Sequence, residues 1–314
     1  MRKLALSFAV AGSLLVAACG GSDSSSDTTS PAGDAAQSAA ECAAGKTLEE
    51  GVLTVGTGDP AYSPWVIDDK PESKEGFEAA VAYAVATELG FEDANVKWVR
   101  TTFDEAVQPG TKNFDFNLQQ YSITEERKQT VTFSDSYYTT NQAIVGLNDS
   151  AAKGATTLAD IKKLKLGAQA GTTSLTYITE VIQPDTEPYV YDDNAGAKAA
   201  LEAKQIDAAV FDLPTALYVS AVEIEGSAVL GQFPAEDGAV ADEFGLVFDK
   251  DNALATCVNT ALATLKENGT LASITAQWLS TSTNIPVIKY QLNEAVRQHH
   301  GDNHKSSCRI RENS

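Results

Sequence analysis

A few short phrases set polar or charged side chains where hydrophobic segments end. The most pointed is "YSITEERKQTVTFSDSYY" (121–138), which follows the strand-like "FDFNLQQ" (114–120) and holds a single arginine, Arg127, among acids and hydroxyls. A guanidinium is a rigid fork of N–H donors that takes a carboxylate through two parallel hydrogen bonds. Arg127 therefore either grips an anionic group in a cleft or lies on the surface paired with Glu125 or Asp135. Ser122 or Thr124 suits the cap of a short helix with Glu125 and Glu126 in its first turn. "GAQAGTTS" (167–174) turns on glycine from strand to helix, exposing backbone N–H groups beside the hydroxyls of Thr172 and Thr173, which suits a small anion. "DAAVFDLP" (207–214) ends a strand at Asp212 and opens a helix at Pro214. Asp212 is thus either an N-cap or a carboxylate at the carboxyl edge of a sheet, where ligands of open α/β sheets bind. "GDPAYSPW" (58–65) adds Asp59 and Tyr62, with Trp65 as a further aromatic wall.

Catalysis has little to work with. All three histidines (His299, His300 and His304) fall in the C-terminal tail, so the commonest general base is missing from the rest of the chain. There is no G-x-S-x-G elbow, no G-x-G-x-x-G turn and no P-loop. The chain has 43 carboxylates, so acidic pairs alone carry no information. No catalytic residue and no cofactor is expected. The three histidines with Cys308 have metal-ligand spacing, but the tail around them has no periodicity to fix a site, and no metal is expected either.

These residues need a scaffold, and the chain alternates strand-like and helix-like segments from about residue 50. "GVLTVGTG" (51–58), "NVKWVR" (95–100), "KNFDFNLQQ" (112–120), "TVTFS" and "QAIVGL" (142–147) read as strands. "GFEAAVAYAVATELG" (76–90) carries apolar residues at helical spacing and stops at Gly90, and "FDEAVQPG" (103–110) is a short helix. The rhythm restarts near residue 150 with "KLGAQAG", the helix 172–182, "EPYVYD", the helix 195–205, the strand 206–212, "LPTALYVSAV", "AVLGQF" and "FGLVFDK" (244–250). Two closing helices follow. Such alternation implies an α/β protein, with helices on both faces of mixed, mainly parallel sheets. The restart suggests a second lobe.

The 314 residues, 43% hydrophobic and 21% charged, provide ample material for a folded core. The net charge of −20 argues against nucleic acid, whose phosphates an acidic surface repels. Arg2 and Lys3 precede an apolar run from Leu4 to Ala18, a pattern of secretory signals too short to span a bilayer. "VAAC" (16–19) looks like the lipobox of bacterial lipoproteins. That likeness implies a signal peptide over 1–18 and diacylglycerol on Cys19, whose chains anchor the protein to the outer face of the cytoplasmic membrane. Residues 19–45 are expected to be a flexible tether. Cys42 and Cys257 are the natural disulfide pair of an exported protein. Residues 291–314 are expected to be disordered.

Taken in order, "LTVGTGDPAYSPW", "GFEAAVAYAVATELG", "FDFNLQQYSITEERKQTVTFSDSYY", "LGAQAGTTS", "ALEAKQIDAAVFDLP", "EFGLVFDKD" and "VNTALATLKENGTLASITAQWL" resemble the extracellular solute-binding proteins of polar amino-acid ABC importers. The resemblance implies a two-lobed type II periplasmic-binding-protein clamp with two hinge crossings. Lobe 1 would take 46–142 and 243–290, and lobe 2 would take 143–242. It implies that an L-amino acid, polar or charged, is bound between the lobes and delivered to a permease by a monomer. Arg127 would hold the α-carboxylate with Thr172, Thr173 and Ser122, and Asp212 the α-ammonium. Tyr62 would stack on the side chain, with Phe103 facing it. Asp59 matches an acidic position found in binders of several amino acids. Gln120 stands where the family often has a small hydroxyl residue or glycine, and Glu78 where it often has aspartate. The alternatives are an opine- or cystine-like ligand, or a cyclohexadienyl-dehydratase-like enzyme on the same fold.

Overall fold

The computed structural model describes residues 37–233, 241–279 and 288. The signal, Cys19, most of the expected tether and the tail from 291, with its histidines and Cys308, lie outside the described residues.

Twelve strands are present among the described residues: β1 (Leu53–Gly58), β2 (Val96–Thr101), β3 (Phe116–Asn117), β4 (Thr132–Phe133), β5 (Tyr138–Thr140), β6 (Gln142–Leu147), β7 (Leu166–Gln169), β8 (Tyr189–Tyr191), β9 (Ala208–Asp212), β10 (Ser227–Phe233), β11 (Asp242–Phe244) and β12 (Val247–Phe248). The α-helices are α1 (Ala39–Ala43), α2 (Phe77–Glu88), α3 (Phe103–Val107), α4 (Leu158–Ile161), α5 (Thr173–Thr176), α6 (Asn194–Glu202), α7 (Leu213–Tyr218), α8 (Leu254–Glu267) and α9 (Thr270–Trp278).

The strands form two five-stranded mixed sheets, ordered β2-β1-β3-β12-β4 and β10-β6-β9-β7-β8. In the first, β2 and β3 run parallel to β1, while the returning β12 is antiparallel to β3 and β4. In the second, β7 is parallel to β8 and β9, and β6 is antiparallel to β9 and β10. The chain leaves the first sheet along β5 and comes back along β11. These two pair antiparallel, with Phe244 opposite Tyr138 and Asp242 opposite Thr140.

Burial follows from this layering. Every residue of β1 is buried, as a parallel strand covered on both faces must be. One core gathers Val81 and Val85 of α2 and Val258 and Leu262 of α8 against Leu53, Val55, Phe116 and Phe248. The second sheet sorts its residues by twos. Ile144 and Val210 enter the core on one face, and Ala143, Val145, Ala209 and Phe211 enter the core on the other. The strand expected over 112–120 pairs only at Phe116–Asn117. The reason lies at Asp115, whose carboxylate takes the N–H groups of Leu48 and Thr54 at 2.7 and 2.6 Å, while Gln120 turns the chain at φ 51°.

The tether expected through residue 45 ends sooner. Ser38 and Glu41 form a reciprocal capping box that starts α1, whose Ala39 and Ala43 are buried. Cys42 is bonded to Cys257 of α8. The bond closes a loop of 215 residues, so its loss releases chain entropy to the unfolded state, at a cost of about 2–5 kcal/mol. A Cys42→Ser, Cys257→Ala variant is expected to unfold roughly 5–15 °C below the wild type in a thermal melt.

Candidate functional site

A cleft with an empty volume of about 520 Å³, its open mouth included, lies between the two sheets' carboxyl-edge loops. The second lobe contributes Gln169 at the end of β7, Asp212 at the end of β9 and the turn 172–174, as open α/β sheets place their ligand sites. Gln142 joins them from the start of β6, because β6 runs antiparallel and sets Gln142 opposite Asp212. The first lobe contributes Tyr62 from beyond β1, Phe103 of α3, and Gln119, Gln120, Ser122 and Arg127 from beyond β3. Among the described residues no cluster of His, Cys, Asp and Glu fits a metal ion.

Arg127 is partly buried and makes no ion pair with Glu125 or Asp135; Glu125 pairs instead with Lys128 at 2.7 Å. Its backbone N–H is tied to the Thr124 hydroxyl at 3.2 Å. The guanidinium donates to the Ser122 carbonyl at 2.7 Å and, across the cleft, to the Gly171 carbonyl at 2.8 Å. It also lies 5.2 Å from the centre of the Phe103 ring. Gly171 adopts φ +69°, and a Cβ there would meet Asp104, so this carbonyl is presented by a position that calls for glycine. Two of the five guanidinium donors are thus committed to carbonyls, and the side chain lines the cleft. Burial lowers the pKa of Arg127, against the opposing pull of Tyr121 and Asp242. A guanidinium stays charged under such a shift.

Asp212 occupies the N-cap position of α7, beside the Thr215 N–H but short of a capping hydrogen bond of full geometry. Its carboxylate accepts from the Thr215 hydroxyl at 3.1 and 3.2 Å. That hydroxyl in turn accepts from the indole N–H of Trp65 at 2.9 Å. Trp65 is therefore not an aromatic wall of the cleft. It is 1% exposed, packs edge-on against Phe77, Tyr138 and Phe244, and reaches across to the second lobe through its nitrogen. Burial, reinforced by nearby Asp242, pushes the Asp212 carboxyl up to about 7. Thr215→Val would leave the Trp65 N–H buried without a partner and remove a donor from Asp212. It is expected to lower stability by about 1–3 kcal/mol in a denaturant titration.

Gln120 is held by Glu78. The Glu78 carboxylate is 1% exposed and accepts the Gln120 N–H at 2.7 Å, the Gln120 side-chain N–H2 and the Tyr137 hydroxyl. Burial pushes Glu78 up to about 7. Ser122 and Thr173 meet hydroxyl to hydroxyl across the cleft at 3.1 Å, and Thr172 caps α5 by accepting the Leu175 N–H at 3.2 Å. Phe103 stacks on Tyr121 with centroids 4.7 Å apart. The Tyr62 ring lies 4.9 Å from the Lys198 ammonium, and its hydroxyl is buried near Asp193 and Ala195 without a hydrogen bond of full geometry. Burial, with Asp193 nearby, raises that hydroxyl to about 12.

Asp59 is the exception among the expected residues. It is exposed and does not line the cleft. The Gly58 carbonyl takes Arg100 at 2.8 Å, and the chain steps outward past the sheet edge before Tyr62 re-enters. Gln119, Gln142, Gln169, Asn194, Phe211 and Phe244 line the cleft without having been singled out. The strand-end rule that drew attention to Asp212 applies equally to Gln169 at the end of "KLGAQAG", whereas Gln142 depends on the antiparallel sense of β6.

Comparison with known proteins agrees with this geometry. Residues 53–281 match the family model described as bacterial extracellular solute-binding proteins, family 3. The arginine-binding periplasmic protein of Mannheimia haemolytica is 29% identical over 225 residues, covering 70% of this chain and 89% of that protein. The L-cystine-binding protein TcyJ of Escherichia coli is 29% identical over 237 residues, covering 74% and 84%. Among solved structures, an ancestral arginine-binding protein bound to arginine superposes with a TM-score of 0.61 at 30% identity, covering 74% of this chain and 99% of that one. The ancestral amino acid-binding protein AncCDT-1, a precursor of cyclohexadienyl dehydratase, gives 0.60 at 31% identity, covering 73% and 96%. With two mixed sheets joined by β5 and β11 and a polar cleft between them, the chain belongs to the bacterial extracellular solute-binding proteins, family 3.

Proposed function

We propose that the protein captures a free L-amino acid in the cleft and delivers it to the permease of an ABC importer. One observation carries this reading: a guanidinium and a carboxylate line the same cleft from opposite lobes. A zwitterion taken from water needs a cation at one end and an anion at the other, and each charge-assisted hydrogen bond contributes about 1.5–3 kcal/mol. Arg127 receives the α-carboxylate with Ser122, Thr172 and Thr173 beside it. Asp212 receives the α-ammonium, and Tyr62 and Phe103 flank the side chain. The relatives named for arginine, cystine and glutamine support an amino acid as the ligand class.

Contacts already cross the cleft, from Arg127 to Gly171, Ser122 to Thr173 and Trp65 to Thr215. A ligand bonded to both lobes adds to these and shifts the population toward the closed clamp. The lobes are residues 46–142 with 243–290, and residues 143–242, hinged at β5 and β11. The protein acts as a monomer outside the cytoplasm, tethered by lipid on Cys19.

The test is a panel of L-amino acids in thermal-shift and calorimetric titrations of the full chain. At a hundredfold excess over Kd, the ligand stabilises the protein by about 2.7 kcal/mol, and mass spectrometry recovers it unchanged. A panel with no stabilising amino acid overturns the reading, as does chemical conversion of the ligand.

A further inference from the structure

We propose that the side-chain end of the cleft takes an uncharged amide, so that the ligand is of the glutamine and asparagine class and not a cationic or anionic amino acid. The inference rests on the amino-acid reading above.

Arg127 and Asp212 are the charged residues that line the cleft among those described, and both are taken by the ligand's α-groups. The other acids nearby are bonded within the protein or, like Asp104 and Glu126, exposed outside the lining. Glu78 already holds donors from Gln120 and Tyr137. Asp242 accepts the Gln142 N–H2 at 2.6 Å, and Asp193 accepts the Gly196 N–H at 2.7 Å. Asp69 pairs with Arg100, and Asp59 is exposed outside the lining. Lys198 is paired with Glu223 at 2.9 Å. A guanidinium or ammonium side chain would therefore enter without a counter-charge, and so would a carboxylate. Burying an unpaired charge is among the costliest substitutions a site can face.

The lining offers amides instead. Gln169 is 7% exposed, and its side-chain amide has no hydrogen-bond partner among the described residues. Asn194 likewise brings an unpartnered amide to the cleft. Gln119 spends its oxygen on the Tyr121 hydroxyl at 2.8 Å and keeps its N–H2 free, whereas Gln120 spends its N–H2 on Glu78 and keeps its oxygen free. The set thus holds both donors and acceptors. A carboxamide satisfies both, a guanidinium only the acceptors and a carboxylate only the donors. A site built to hydrogen-bond a polar group rejects ligands that leave its members unpaired.

Calorimetry on the full chain with glutamine, asparagine, arginine, lysine, glutamate and cystine tests this. Glutamine or asparagine is expected to bind at least tenfold more tightly than the others. Gln169→Leu should lower that affinity tenfold or more without lowering the unfolding temperature of the ligand-free protein. Gln169→Glu, which adds the missing counter-charge, should shift preference toward arginine. Arginine, lysine, glutamate or cystine binding as tightly as glutamine would overturn the inference and leave the amino-acid reading standing, and so would an undiminished affinity in Gln169→Leu. Binding of no amino acid would overturn both.

Discussion

Arg127→Ala is expected to lower the affinity for the amino-acid ligand at least a hundredfold in calorimetric titration. Truncating one partner of a desolvated, hydrogen-bonded charge pair costs about 2–5 kcal/mol, since the other charge is left buried and unpaired. The loss also removes the bond from the guanidinium to the Gly171 carbonyl, one of the contacts that join the lobes. Arg127→Lys separates charge from geometry. It keeps the cation and loses the fork that serves the Ser122 carbonyl, the Gly171 carbonyl and a carboxylate together. Its affinity should fall between wild type and Arg127→Ala. Equal affinity in Arg127→Lys and wild type would mean that only charge, and no planar recognition, acts at this end of the cleft.

Asp212→Asn carries an unusual pair of effects, with ligand affinity lost and the ligand-free protein stabilised. Burial raises this carboxyl from about 3.8 to about 7 in the folded chain. Between those values the folded state holds a proton that the unfolded state has released, so stability falls as pH rises through that window and stays lowered above pH 7. At about 1.4 kcal/mol per unit, removing the titrating group should return roughly 2–4 kcal/mol above pH 7. A thermal melt at pH 8 should show Asp212→Asn roughly 5–15 °C above wild type, with the difference fading toward pH 4. Binding has the opposite sign. An α-ammonium needs the ionised carboxylate, so below pH 7 the ligand must expel a proton, and affinity should drop by up to about tenfold per pH unit. Glu78, raised to about 7 by burial and interacting with Asp212, shares in this titration.

Much of the scaffold was legible before the structure. The apolar spacing of Phe77, Val81 and Val85 marks α2, and the buried run Leu53–Gly58 marks β1, because in both the residues that make the element also fill the core. The candidate site was legible where it obeys the strand-end rule. Asp212 closes β9, and Arg127 stands in the turn beyond β3. What escaped depends on pairings remote in sequence. β5 is three residues long and means little until β11, a hundred residues later, lies against it. Gln142 enters the cleft only because β6 runs against β9. Trp65 looked like a binding aromatic, but its ring is worth more in the core beside Phe77 and Phe244, and its polar edge finds Thr215. Asp59 directly follows a buried strand yet turns to solvent. The end of the tether was set by the Ser38–Glu41 capping box and by the anchoring of Cys42 to α8.

The central claim is that a single zwitterion spans the gap between Arg127 and Asp212, and a crystal structure of the ligand-loaded protein tests it most directly. The account predicts the ligand's α-carboxylate about 2.7–2.9 Å from the Arg127 guanidinium and its α-ammonium at similar range from the Asp212 carboxylate. A ligand seated in the cleft with its carboxylate on other groups, and Arg127 still bonded only to the Ser122 and Gly171 carbonyls, would contradict it.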